Sequence, residues 1–275
     1  MKFAFAFSVA ISLLAGCALQ PQRESATDFA GFETLATDAR VRYEPGAQGF
    51  AARVAELLPA AIAQVEAGQY RPFALPVAAY VCGTRACFEG RVPGAARFTA
   101  AVIYDNRLLL APRLFEHEQH RLYPILVHEL SHLHLGQRLG HYTMRIPVWF
   151  HEGLASLAAS GGGADLVSEE EARRAIARGD YFLPDAVHDQ TRRKYAENWH
   201  LKIAMLYRQS MMFLAAIKSE SEERFRALVD SLQRRAPFDD AFAAAYGASS
   251  LDLARQYFDG IHCDLLECRA PAAAP

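Results

Sequence analysis

Residues 128–132 read His-Glu-Leu-Ser-His, an HExxH motif in which two histidines stand four positions apart. On an α-helix, residues i and i+4 lie on the same face, so both imidazoles can reach one metal ion. Glu129 points away from that face, towards the place where a general base would act on water at the metal. The motif therefore predicts a metal site with His128 and His132 as ligands and Glu129 as the catalytic base.

The motif needs a helix, and the surrounding sequence predicts one over residues 123–139. Pro124 stands at its expected start, where a missing N–H costs nothing. Gly136 and Gly140 are expected to loosen its end. Apolar residues cover most of its surface, so the helix should be buried; they are Leu122, Ile125, Leu126, Val127, Leu130, Leu133 and Leu135.

A second helix is predicted over residues 147–160, and it carries a Pro-x-Trp-x-x-Glu-Gly-x-Ala arrangement. Here, and at HExxH, the chain resembles the gluzincin metallopeptidases, which include thermolysin and the peptidase MA-like proteins, over roughly residues 108–261. The resemblance implies that Glu152, 20 residues beyond His132, completes a site for one Zn²⁺ ion and leaves one position for water. His151 is the alternative third ligand. The residues that match are Pro147, Trp149, Glu152, Gly153 and Ala155.

The same resemblance implies a further catalytic residue, Tyr207, on a helix predicted over residues 197–219. Its hydroxyl would donate to the oxyanion of the tetrahedral intermediate, although a core tyrosine is an equal alternative. Tyr195 and His200 are weaker candidates for the same role. Thermolysin supports a zinc histidine with an aspartate where this chain has Ser156. The groups that orient the two histidines therefore stay open.

The order of predicted elements indicates an α+β fold. A helix over residues 50–67, a strand over 76–82 and a hairpin around Asp105-Asn106, with strands 101–104 and 107–110, are followed by helices only. This pattern predicts a small N-terminal sheet with helices, the HExxH helix and a mostly helical C-terminal lobe, which is the zincin-like arrangement. The later helices are predicted over 169–178, 197–219, 222–234, 237–246 and 251–259.

The expected domain organisation divides the chain after residue 160. Residues 31–160 form the zincin-like lobe with the active-site helices, and residues 161–275 form the helical lobe. Gly161-Gly162-Gly163 is expected to be a flexible joint between the two.

The N-terminus has the pattern of an export signal. Lys2 precedes a short apolar run, and Leu14-Ala15-Gly16-Cys17 resembles the lipobox of bacterial lipoproteins. This resemblance implies a signal peptide over residues 1–16, then a lipidated Cys17 and a tether over 17–30, with acyl chains such as palmitate as the membrane anchor. Ala18 favours the outer membrane, facing the periplasm. An ordinary secretory signal with an incidental Cys17 is the alternative.

Four cysteines remain beyond Cys17, and an exported protein is expected to use them in disulfides. Both pairs have the spacing C-x4-C, which suggests Cys82–Cys87 and Cys263–Cys268. Crossed pairings and a four-cysteine zinc site are the alternatives.

The function predicted from these features is zinc-dependent peptide-bond hydrolysis in the bacterial cell envelope. The formal net charge of −2 argues against nucleic acid as a partner, which leaves a peptide or protein substrate and the membrane. An endopeptidase is favoured because no Gly-rich acidic block resembling the one that holds the free amine in aminopeptidases precedes HExxH. The resemblance to gluzincins implies that an edge strand near Leu108–Leu110 pairs with the substrate. The alternatives are a catalytically inactive zinc-binding lipoprotein, acting as envelope scaffold or assembly factor, and a structural lipoprotein with a fortuitous motif.

Overall fold

The computed structural model describes residues 29–94, 99–184 and 195–266, so the predicted signal peptide, Cys17 and most of the predicted tether lie outside the described residues. Near its start the chain forms a five-stranded mixed sheet in the order β1-β2-β3-β5-β4. The three central strands run parallel, and each edge strand is antiparallel to its neighbour. The strands are β1 (Glu33–Thr34), β2 (Val41–Tyr43), β3 (Ala79–Val81), β4 (Ala101–Tyr104) and β5 (Arg107–Leu110).

Helices make up most of the rest of the described chain. Two interrupt the sheet, and from the end of β5 onwards only helices and connecting segments follow, which confirms the predicted α+β class. The helices are α1 (Gln48–Gly68), α2 (Arg85–Arg91), α3 (Arg113–Glu116), α4 (Gln119–Leu139), α5 (Val148–Ala158), α6 (Glu169–Ala177), α7 (Ile203–Glu220), α8 (Glu222–Gln233), α9 (Phe238–Tyr246) and α10 (Ser250–Leu266).

Both faces of the sheet are covered, which is why β5 is apolar at consecutive positions. Side chains alternate between the two faces of a strand. Leu108 and Leu110 accordingly join the core formed with α1 and α4. Leu109 joins a smaller cluster on the other face, which includes Tyr80 and Phe88. The core formed with α1 and α4 holds the HExxH helix α4 against the sheet.

The hairpin has the predicted bounds, but its place in the sheet differs from the prediction. Asp105 and Asn106 both adopt positive φ, 46° and 57°, as a two-residue hairpin turn requires. However, β5 is an interior strand between β3 and β4, so the expectation of an edge strand at Leu108–Leu110 is wrong. Strand β4 is the edge on this side of the sheet, because after the turn the chain runs between β3 and β4 as β5.

Two helix starts also differ from the prediction. Helix α7 begins at Ile203 rather than at residue 197, because residues 196–199 form a 3₁₀ turn and His200 adopts a left-handed conformation with φ 57°. Helix α4 begins at Gln119, which puts Pro124 inside it rather than at its start. The proline removes only the hydrogen bond to the carbonyl of His120, an exposed residue of the first turn where water can replace it.

The predicted Cys82–Cys87 disulfide is present and links the end of β3 to α2, with 5.6 Å between the Cα atoms. This bond excludes the crossed pairings and the four-cysteine zinc site. Cys263 lies exposed on α10, whereas Cys268 lies outside the described residues. The Cys263–Cys268 pairing therefore stays a prediction.

Helix α4 lies between two apolar cores. Leu133 packs into the core formed with the sheet and α1, whereas Leu135, about half a turn further along the helix, packs into the core formed with the later helices.

The expected joint at residues 161–163 is packed rather than loose, since Gly161 and Gly162 are buried. The division into two lobes after residue 160 stays a prediction. No helix in the described part of the chain is long and apolar enough to cross a bilayer.

Candidate metal centre

Helix α4 brings the two motif histidines together as predicted. His128 and His132 are 1% and 5% exposed, and their Nε2 atoms lie 3.1 Å apart. The two rings are nearly perpendicular, at 86°. Both Nε2 atoms therefore point at one place, one turn of the helix apart, as the i, i+4 spacing requires.

Helix α5 supplies the third group, Glu152. Its Oε2 atom lies 3.3 Å from Nε2 of His128 and 3.2 Å from Nε2 of His132. A tetrahedral ion bound at about 2.0–2.1 Å by each atom would hold its ligand atoms roughly 3.3–3.4 Å apart. The three observed separations agree with this spacing to within a few tenths of an ångström. The buried cluster of His128, His132 and Glu152 is compatible with one metal ion.

The hydrogen bonds of His128 test whether these residues fit a cation. Its Nδ1 atom lies 3.0 Å from the backbone oxygen of Gly162, which can only accept, so Nδ1 carries the proton. In a neutral imidazole Nε2 then holds a lone pair, and this lone pair faces the Glu152 carboxylate. Oε2 of Glu152 is buried and has no hydrogen-bond partner among the described residues. A cation at this point would satisfy both atoms.

The charges within the cluster shift the pKa values of Glu152 and His128. Burial alone would raise the pKa of Glu152, but His132 and His128 outweigh burial and hold this pKa below its usual range. Burial would lower the pKa of His128, and the carboxylates of Glu152 and Glu129 outweigh it and raise this pKa. These shifts keep Glu152 ionised, which is the form that ligates, and without a cation they favour a proton on His128, which a bound metal ion would displace.

The groups that orient the two histidines, which sequence reasoning left open, are now visible. Gly162 accepts from Nδ1 of His128, and Ser156 Oγ lies 3.5 Å from the same atom. On the other histidine, Nδ1 of His132 lies 3.2 Å from Nε2 of His151. His151 therefore contacts the nitrogen of His132 that faces away from the candidate metal position, so it is placed to orient His132 rather than to bind the ion.

Glu129 and Tyr207 both lie at the centre. Glu129 is 4% exposed and sits beside His128 on α4. Tyr207, from α7, is buried and stacks on the His128 ring with 6.0 Å between centroids and 18° between planes. Tyr195 and His200 are exposed, and neither shows a contact with the cluster among the described residues. Of the three candidates for the oxyanion donor, Tyr207 is the one beside the histidines.

The other residues of the second motif hold α5 in place. A Cβ atom on Gly153 would lie 2.9 Å from Cβ of Ser210, so this glycine allows the close approach of α5 and α7. Trp149, three residues before Glu152, is buried among aromatic rings of the helical core. These are Phe150, Phe182, Phe213 and Phe238.

Comparison of the chain with protein-family models and with curated proteins gives no match.

We expect purified protein to bind one zinc ion per chain, and we expect His128→Ala, His132→Ala and Glu152→Ala each to lose it. Each change removes one of three ligand atoms, and the remaining pair cannot hold the ion tightly. Metal analysis after dialysis against a weak chelator measures the stoichiometry. His117→Ala, which removes an exposed histidine near the start of α4, is the matched control. Retention of a full equivalent by the Glu152 variant would remove Glu152 from the ligand set.

Proposed function

We propose that this chain is a zinc-dependent peptide hydrolase of the gluzincin type that acts in the bacterial cell envelope. The observation that carries the proposal is the spacing of Nε2 of His128, Nε2 of His132 and Oε2 of Glu152, all 3.1–3.3 Å apart. Glu129, next to the first ligand in the same helix, supplies the base that a purely structural metal site does not need.

Zinc bound by these residues would act as a Lewis acid that lowers the pKa of water and polarises a carbonyl group. Glu129 takes the proton of the attacking water and returns it to the amine that leaves. Its burial beside the ligands keeps bulk water away from this transfer. The peptide C–N bond breaks, and a carboxylate and an amine are the products.

Tyr207 is the residue proposed to stabilise the oxyanion. Its ring stacks on that of His128, with 6.0 Å between the centroids, and this contact supports the role. A phenol that donates a hydrogen bond to the developing charge acts most strongly where water is excluded.

Strand β4 is the edge proposed to hold the substrate, in place of β5. Tyr104 and Arg107 flank the two-residue turn, so they exchange hydrogen bonds, and so do alternate pairs along the ladder. The backbone groups of Ala101 and Ile103 therefore face away from β5. Among the described residues no strand pairs with this edge, and an extended peptide can add to it.

The proposed location in the envelope has one structural support. The Cys82–Cys87 disulfide is typical of an oxidising compartment such as the periplasm. The lipid anchor at Cys17, attachment to the outer membrane and a peptide or protein substrate complete the proposal.

We expect Glu129→Gln to lower kcat by about 10²–10⁴-fold and to leave zinc bound, because the amide cannot accept the proton and is no ligand. Digestion of a peptide library, together with metal analysis of the same sample, measures both quantities. Glu116→Gln, an exposed glutamate on α3, is the control. Equal turnover of wild type and Glu129→Gln would instead point to contaminating activity, and a zinc-loaded wild type without any turnover would favour the inactive scaffold.

We expect Tyr207→Phe to lower kcat by about 10²–10³-fold with little change in KM, since the lost hydrogen bond forms only as charge develops. Steady-state kinetics on a peptide cleaved by wild type gives both constants. Tyr246→Phe is the control. It removes a partly buried hydroxyl that donates to the carbonyl of Ile217, near the C-terminal end of α7 and ten residues beyond Tyr207. A KM effect alone would assign Tyr207 to packing or ground-state binding.

We expect Ile103→Pro to lower kcat/KM by about fivefold without loss of zinc. Proline removes the outward N–H, and one hydrogen bond to a substrate is worth roughly 1 kcal/mol. Ile103→Val keeps the N–H and is the control, and circular dichroism checks that the hairpin persists. If both variants cleave peptides like wild type, β4 is not the substrate edge.

A further inference from the structure

The turn between α5 and α6, residues 160–168, packs closely against α4, the helix that carries His128 and His132. The Gly162 carbonyl accepts from Nδ1 of His128 at 3.0 Å. Gly163 has φ +81°, and a Cβ atom there would lie 2.4 Å from the same nitrogen. A Cβ on Gly162 would lie 2.4 Å from the carbonyl oxygen of Pro124. Only a turn without side chains at these two positions can bring its backbone this close to His128.

Helix α7 holds this turn through Arg208. Its Nε atom donates to the carbonyl of Val167 at 2.7 Å, and one terminal nitrogen donates to the carbonyl of Ala164 at 2.9 Å. The planar guanidinium thus ties two carbonyls of the turn in fixed directions. Arg208 directly follows Tyr207, the residue stacked on His128.

Helix α4 holds the turn from the other side through an ion pair. Arg121 Nε lies 2.6 Å from Oδ2 of Asp165, two residues past Gly163. The Arg121 side chain is 15% exposed and also pairs with Glu118 at 2.7 Å. Arg121 precedes His128 by seven residues, two turns of the same helix. The helix that carries the ligand therefore also anchors the turn that orients it.

We propose that Arg208 and the Arg121–Asp165 pair are positioning residues of the metal centre, acting through the Gly162 carbonyl on His128. The inference rests on the proposed zinc site. A ligating imidazole must keep its proton on the nitrogen away from the metal, and the acceptor of that proton fixes both tautomer and ring orientation. Here the acceptor is a backbone oxygen, so its position depends on whatever holds the turn.

Zinc affinity is the measurement, obtained by competition with a chromophoric chelator for zinc alone. We expect Arg208→Met and Asp165→Asn each to weaken zinc binding by about 10–100-fold, the range found when the support of a metal ligand is lost. Arg208→Lys keeps one donor and should weaken it less than Arg208→Met. Asp230→Asn removes a comparable ion pair between distant segments, with Arg71 at 2.8 Å, and should bind zinc within about twofold of wild type.

Two readouts separate positioning from a general loss of stability. Cobalt-substituted protein reports the geometry of the site, so its visible spectrum should change in Arg208→Met and Asp165→Asn but not in Asp230→Asn. Urea unfolding of the metal-free proteins shows whether the variants fold.

The outcomes are distinct for the two proposals. A wild type without measurable zinc affinity refutes the zinc site itself. A wild type that binds zinc tightly, with Arg208→Met and Asp165→Asn equal to it in affinity and spectrum, overturns the positioning role and leaves the zinc site intact. Equal losses of zinc affinity in these two variants and in Asp230→Asn would also overturn the positioning role. So would an Arg208→Lys variant that loses as much zinc affinity as Arg208→Met.

Discussion

The structure depends on a buried carboxylate that faces two imidazole nitrogens. Removing an ionised carboxylate from water costs several kcal/mol unless it is paired, and Oε2 of Glu152 has no hydrogen-bond partner in the described part of the chain. The neighbouring elements enforce this contact. Helix α4 spans two apolar cores, and Gly153 lets α5 lie directly against α7. Packing free energy therefore holds together a cluster that would repel itself without a cation or protons.

Features that depend on residues close together in the sequence, such as turns and helices, could be predicted, whereas strand order could not. The Asp105-Asn106 turn was predicted to the residue because positive φ at two adjacent positions has a clear signature. The position of β5 inside the sheet was not, because strand order depends on how the chain returns after the turn, and no local pattern records it. The start of α7 was misplaced because residues 197–199 suit a helix, and the left-handed His200 that ends the 3₁₀ turn has no signature.

The same division holds for the site. The candidate ligands His128, His132 and Glu152 follow from helix spacing and from a motif, and the structure brings them together. The partners of their second nitrogens could not be predicted. A backbone carbonyl such as that of Gly162 has no residue type to read, and the glycines around it suggested a joint rather than a close contact. The residue type of His151 suits a metal ligand, but in the fold its Nε2 atom lies against Nδ1 of His132, the nitrogen that faces away from the candidate metal position.

The neutral partners have a consequence for the chemistry of the centre. Among the described residues, Nδ1 of His128 faces a carbonyl and Nδ1 of His132 faces an imidazole, so no carboxylate supports either ligand. A carboxylate partner raises the basicity of a ligating imidazole. Without it, a divalent ion bound at this site, with Glu152 as its one anionic ligand, would keep a net charge of about +1 for polarising a carbonyl. The orientation that a charged partner would give must then come from rigidity, which is what the clamped turn at residues 160–168 provides.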